Sequence, residues 1–405
     1  MVDAGDTAWL LVSSALVFLM TPALGFFYGG LVRKKNLANT IMMCFAAAAL
    51  ISLQWVLWGY SLAFGPSVNG VIGSLDWFGL RGVGLDPNPD YAPTVPHQAF
   101  MLFQGMFAII TAALIIGAVV ERIKFSSGIL FLVLWSTIVY DPLAHWVWGV
   151  GGWLRNLGAL DFAGGTVVHI NAGIAALAAA MVLRNRIGYG SAAFEPSNIT
   201  YVILGASLLW FGWFGFNAGS ALSAGGLASS AFVATNVAAS AATLSWLLMS
   251  WFYKGKASII GAASGAVAGL VAVTPASGFV DALGAMVIGF TAGLLCFYAV
   301  SFRSRTKIDD SLDVWGVHGV GGTWGAIATG IFANPAVNPT AAGLLYGNPY
   351  QLLVQVVATG VAWVYSFILT FAILKLIDKT VGLRVSKEEE LVGLDLTQHA
   401  EPAYV

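Results

Sequence analysis

The chain has 405 residues, 58% of them hydrophobic and 9% charged, with a formal net charge of -1 at pH 7. Soluble domains carry about 25% charged residues, so this composition excludes an ordinary water-soluble enzyme. The near-neutral balance likewise lacks the basic footprint of a nucleic-acid binder. The 48 glycines lie inside apolar stretches, where small residues let membrane helices pack closely. The expected class is an all-α polytopic protein of the lipid bilayer.

The first charges are Asp3 and Asp6 rather than a basic cluster, so no cleavable leader is expected. A membrane span takes about 20 apolar residues. Eleven candidates follow in order: 8–32, 38–64, 98–120, 126–148, 161–183, 199–220, 229–253, 257–274, 279–302, 312–333 and 350–375. The first contains PALGFFYGG (22–30). The connection 65–97, rich in Gly, Pro and Asp, is expected to be irregular. Phe107 lies about ten residues into the third span and Trp148 ends the fourth. The fifth carries Asp161 and then His169 in DFAGGTVVHINAG. The sixth contains WFGWFGFNAGS (210–220), with Phe216 and Ser220 four apart and therefore on one helix face. The tenth carries Asp313 and then His318 in DVWGVHGVGGTWG. Cys44 and Cys296 fall in different apolar runs and read as core thiols. The segment from Thr380 onward is the only long polar stretch, either a solvated extension or a regulatory contact.

Lys and Arg favour cytoplasmic connections. With these spans, 16 of the 18 basic residues fall on one side and only Arg81 and Arg155 on the other. This places the N-terminus outside and the C-terminus in the cytoplasm of a multi-pass cell-membrane protein. Similar segments in spans one and six, and Asp…His segments in spans five and ten, imply an inverted repeat over about 8–183 and 199–333, plus an added helix at 350–375. Residues 1–375 then form the membrane domain and 376–405 a cytoplasmic tail. Inverted repeats are common in transporters, with the pathway at the repeat interface.

A buried ionisable side chain within a membrane costs several kcal/mol and marks a pathway or a partner. Two histidines at matching places of an inverted repeat are expected to meet across the pseudo-axis and share a hydrogen bond, relaying protons or lining a narrow pore. A metal is not expected, because neither cysteine is near and the carboxylates lie at helix ends. Asp161 reads as a helix cap and as a negative charge at the outer mouth, and both readings stand. Phe107, Trp148 and Phe216 with the Ser220 hydroxyl offer a way to hold a small cation through ring faces. The absence of a carboxylate ring or carbonyl filter favours a cation that donates hydrogen bonds or sheds a proton.

Those residues resemble the ammonium transporter family (Amt/MEP/Rh), in its bacterial and archaeal Amt branch. DFAGGTVVHINAG (161–173) resembles the family signature, and ERIKFSS (121–127), AHWVWGVGGW (144–153), WFGFNAGSA (213–221) and VHGVGGTWG (317–325) resemble further blocks. The tail VGLRV…EEELVGLDLTQHAEPAY (381–404) is similar to the family's cytoplasmic region. The resemblance implies a homotrimer of eleven-helix protomers, each with its own pore, without cofactor. It implies that Trp148, Phe107, Ser220 and the backbone at Ala163 recruit NH4+, and that Phe107 and Phe216 form a phenyl gate. His169 and His318 would be the twin histidines of the pore, with Asp161 near the mouth. It further implies passage of NH3 with or without the proton, and a PII-type (GlnK-like) signalling protein at the inner face. An ammonium sensor is the main alternative.

Overall fold

The computed structural model describes residues 1–404. Eleven helical segments follow one another: α1 (Ala4–Leu31), α2 (Lys34–Phe64), α3 (His97–Val119), α4 (Phe125–Leu157), α5 (Gly165–Leu183), α6 (Ile199–Gly219), α7 (Gly226–Lys254), α8 (Ile259–Val273), α9 (Ala282–Arg303), α10 (a turn Trp315–Gly319 leading into Val320–Phe332) and α11 (Pro349–Thr380). Among the described residues nine of these are long and apolar enough to cross a membrane; α8 and α10 are shorter or more glycine-rich. α3 and α5 are buried nearly all round and form the centre, whereas α7, α9 and α11 turn wide apolar faces outward. A helix that is apolar all round belongs in a protein core or in lipid, and both situations occur here.

Local chemistry sets where helices begin. Asp3 caps α1 by accepting from Asp6 N at 2.9 Å, Asn198 caps α6 through Tyr201 N at 3.1 Å, and Asp281 caps α9 through Gly284 N at 2.8 Å. α1 and α6 cross with their backbones almost touching. A Cβ at Gly205 would strike the backbone of Phe27, and one at Gly212 or Gly215 the carbonyls of Leu16 or Ser13. Small residues permit such approaches between membrane helices.

Two expectations need revising. The connection 65–97 is not irregular throughout: Ser67–Val68 pairs antiparallel with Ile72–Gly73, and Pro87–Asn88 with Ala92–Pro96. The hairpin glycine Gly70 takes a left-handed φ of 75°, as tight turns require. The polar tail is no solvated extension either. Leu383, Val385 and Leu394 are buried, Arg384 bridges to Ile123, and a short helix α12 (Lys387–Val392) starts on a capping box between Ser386 and Glu389.

Candidate functional site

The fifth span was expected from residue 161, but its helix starts at Gly165 because Asp161 serves as its cap. One carboxylate oxygen accepts from Gly164 N (2.8 Å) and Gly165 N (2.6 Å), the other from Thr166 N (2.9 Å) and Val167 N (3.0 Å). The four orphan donors of a helix start are thereby satisfied by one buried side chain. The turn Gly165–Ile170 is π-helical, a wide turn that is frequent at functional sites, and it carries His169. Gly164 has φ 116° and so accepts no ordinary side chain without strain.

α10 repeats the device. Asp310 Oδ2 accepts from Trp315 N at 2.7 Å, and the π-helical turn Trp315–Gly319 carries His318. The partner of Asp161 is therefore Asp310, not the Asp313 paired with it on the sequence. Asp161 precedes His169 by the same eight residues that separate Asp310 from His318, a signal that was legible. Asp313 instead pairs with Arg303 at 2.7 Å.

The two π turns meet where Gly173 lies against the backbone of Gly319 and His318. This close approach brings His169 Nδ1 to 3.3 Å from His318 Nδ1, with both rings buried. Such a contact needs one proton between two nitrogens, one ring donating and the other accepting. His169 is further stacked on Trp213 (centroids 5.3 Å) and Phe216 (5.9 Å).

On the outer side, Phe107 and Phe216 lie 4.2 Å apart, centroid to centroid, and Trp148 stands edge-on to Phe107 at 5.9 Å. Trp148 Nε1 donates to the Asp161 carbonyl at 2.8 Å, which ties the indole to the cap of α5. Ser220 Oγ donates to the Phe216 carbonyl at 2.9 Å, leaving its lone pairs free as acceptors. Ala163 is buried within the cap loop and does not line the cavity that the others share.

Those groups form a passage in three parts. An outer cavity of about 400 Å³ is lined by Phe107, Trp148, Asp161 and Ser220, with Tyr91 and Arg155 at its rim. Below Phe216 a constriction of about 10 Å³ is walled by His169, His318, Trp213, Ile110, Leu114 and Val267. An inner cavity of about 200 Å³ then runs from His318 to Asp313 and Phe194. The constriction is at the limit of holding a single water.

Sequence reasoning missed an ionic cluster under the passage. Arg186 forks onto Asp309 (2.8 and 2.9 Å) and reaches Glu121 (2.8 Å), which also takes Arg33 at 3.0 Å. Burial pushes the Glu121 carboxyl up, but Arg186 and Arg33 outweigh it and hold the group below its ordinary value. Burial likewise raises Asp309, and its hydrogen bonds from Arg186 together with the Arg122 charge bring it below the usual range. The tail joins this cluster: Glu390 accepts from Ile187 N at 2.6 Å and from Arg384 at 2.7 Å. These arginines were read only as markers of the cytoplasmic side. Asp141, wholly buried in α4, was also overlooked; it accepts from Gln54 at 2.8 Å.

The fold and site together define a multi-pass membrane protein with two cavities separated by a small, largely apolar space that two histidines wall. Residues 8–404 match the profile described as Ammonium Transporter Family. The chain is similar to the ammonium transporter of Bacillus subtilis (strain 168), with 50% identity over 99% of this chain and 98% of that protein. It is similar to Ammonium transporter Amt1 of Archaeoglobus fulgidus, with 51% identity over 99% of each. Among solved structures it resembles Saccharomyces cerevisiae Mep2 (39% identity, TM-score 0.89, 96% of this chain and 89% of that one) and a Sensor Amt Protein (32%, 0.91, 98% of each). The chain belongs to the Ammonium Transporter Family, which places it among transport proteins rather than enzymes.

Proposed function

We propose that this protein takes up ammonium across the cell membrane, with all eleven helices spanning, the N-terminus outside and the C-terminus in the cytoplasm. The helices form two inverted repeats, 8–183 and 199–333, followed by α11 and a cytoplasmic tail from 376. NH4+ is recruited in the outer cavity by the rings of Trp148 and Phe107 and the Ser220 oxygen, with the Ala163 backbone nearby. It loses a proton at or before the Phe107–Phe216 pair, and ammonia moves on past His169 and His318. Three such protomers form a homotrimer, and a PII-type signalling protein covers the inner mouth, where the basic connections and the folded tail offer it a surface.

One observation carries this reading. The constriction has room for about one small molecule and is walled by rings and aliphatic carbons. A bare ion there would lose tens of kcal/mol of hydration, whereas neutral ammonia loses little. K+ has no proton to shed, so the deprotonation step itself selects. The shared proton of the His169–His318 pair supports movement of the proton alongside ammonia, giving net charge transfer.

Purified protein in tight proteoliposomes, pulsed with ammonium on a solid-supported membrane, tests this. A sustained current absent with K+, and lost in His169→Ala, is expected. Internal alkalinisation without current would make the passage a neutral ammonia channel. The absence of both signals would favour sensing, the role for which one structural neighbour, the Sensor Amt Protein, is named. An unchanged current in His169→Ala would remove the histidine pair from the proton's route.

A further inference from the structure

The inner cavity ends on a ring that the preceding mechanism does not use. Phe194 sits half-buried in the connection between α5 and α6, and its ring lines the cavity whose far end is His318. Two guanidinium groups lie over that ring, Arg186 at 4.3 Å and Arg33 at 4.6 Å from its centroid. Guanidinium planes pack well on aromatic faces, and these two have no freedom to leave. The Arg186 fork is fixed by both oxygens of Asp309 and by Glu121, and Arg33 is fixed by Glu121. Glu121 itself holds a left-handed φ of 70°, an uncommon conformation for a non-glycine residue. The ring is thus pinned from outside the passage by charges that never enter it.

We infer that Phe194 is the inner closure of the passage, its ring held across the cytoplasmic mouth by Arg33 and Arg186. The inference rests on the transport reading, because it treats the inner cavity as part of the route. Its connection has the means to move. Gly188 and Gly190 take φ of 86° and 79° between Arg186 and Phe194, and residues 191–193 are exposed. The root of the connection is held by the tail, through Arg384 to the Asn185 carbonyl at 2.7 Å and Glu390 to Ile187 N at 2.6 Å. Swinging Phe194 outward therefore breaks two ring–cation contacts and leaves the ionic cluster intact.

The test uses cytoplasmic access to a position deeper in the same cavity. Ser264 lines it on α8, and the native thiols Cys44 and Cys296 are buried. In inside-out vesicles, Ser264→Cys should react slowly with a charged methanethiosulfonate reagent. Adding Phe194→Ala should raise that rate at least several-fold, while Phe194→Tyr, which keeps the ring over both guanidinium groups, should leave it at the starting value. Equal rates in Ser264→Cys alone and with Phe194→Ala would overturn the inference, as would an equal acceleration by Phe194→Tyr. Ammonium currents recorded on the same preparations separate the two claims. A labelling response with neither wild-type current nor internal alkalinisation would refute transport and keep Phe194 at the mouth. Current without a labelling response would do the reverse.

Discussion

Replacing Asp161 separates a structural carboxylate from an electrostatic one. Its two oxygens accept four backbone hydrogen bonds at 2.6–3.0 Å in a site only 8% exposed, so water cannot take over the freed donors. Hydrogen bonds to a charged group contribute about 1.5–3 kcal/mol each. Part of that sum is offset by burying the carboxylate itself. The expected loss for Asp161→Ala is about 3–5 kcal/mol, since each buried N–H left without a partner costs about 1–3 kcal/mol and part of the sum is regained by removing the buried charge. Asp161→Asn keeps one acceptor but turns an NH2 toward two N–H groups, for a loss of about 2–3 kcal/mol. Thermal melts of detergent-solubilised trimer or monomer, followed by fluorescence-detected size exclusion, should rank wild type above Asn above Ala. Uptake in the Asn variant should fall with the folded fraction, leaving half-saturation unchanged. An Ala variant that melts with the wild type, or an Asn variant that is fully folded with a much weaker half-saturation, would refute the cap as the main role.

Three further outcomes are expected. Trp148→Leu removes a ring face at the outer cavity; at about 0.5–2 kcal/mol per cation–π contact, half-saturation for ammonium should weaken about 2- to 30-fold in a protein that still folds, and equal affinity would remove Trp148 from recruitment. Gly173→Ala drives a methyl into the Gly319 backbone, so it should cost about 1–3 kcal/mol and lower ammonium current by spreading the histidine pair. A variant with wild-type melt and current would mean that the two π turns can part freely. Glu121 and Asp309 sit below their ordinary values of 4.5 and 3.8. A depressed carboxyl stabilises the folded state fully above its unfolded value and loses that contribution as pH falls through the folded one. Melting temperature should therefore hold steady from neutral pH down to that range and drop below it, with a shallower drop in Glu121→Gln. Parallel profiles for the two proteins would exclude Glu121 from the acid response.

What was legible in the sequence was what depends on composition along one dimension. Long apolar runs between basic clusters gave helix positions to within a few residues, as with α3 and α6. A carboxylate at the start of an apolar run, just after a connection, pointed to the cap at Asp161. Distances across the fold were not legible. The π turns at Gly165–Ile170 and Trp315–Gly319 carry no pattern along the chain that marks them as wider than an α-helix. Asp313 took the place of Asp310 because two aspartates stand near one histidine; the eight-residue spacing to the histidine favours Asp310, and its hydrogen bond from Trp315 N settles the choice. Arg33, Glu121, Arg186 and Asp309 come from four separate connections, so nothing local in the chain announces their meeting. The charges of the tail left a solvated extension and a regulatory contact both open, and Glu390 is buried by partners brought from far away in the chain.

The narrowness of the space between Phe216 and His318 bears on what else could cross there. A space of about 10 Å³ breaks any file of hydrogen-bonded water, and such a file is what lets protons leak through open channels. On the transport reading, the passage with no substrate in transit would therefore not carry protons along a water file.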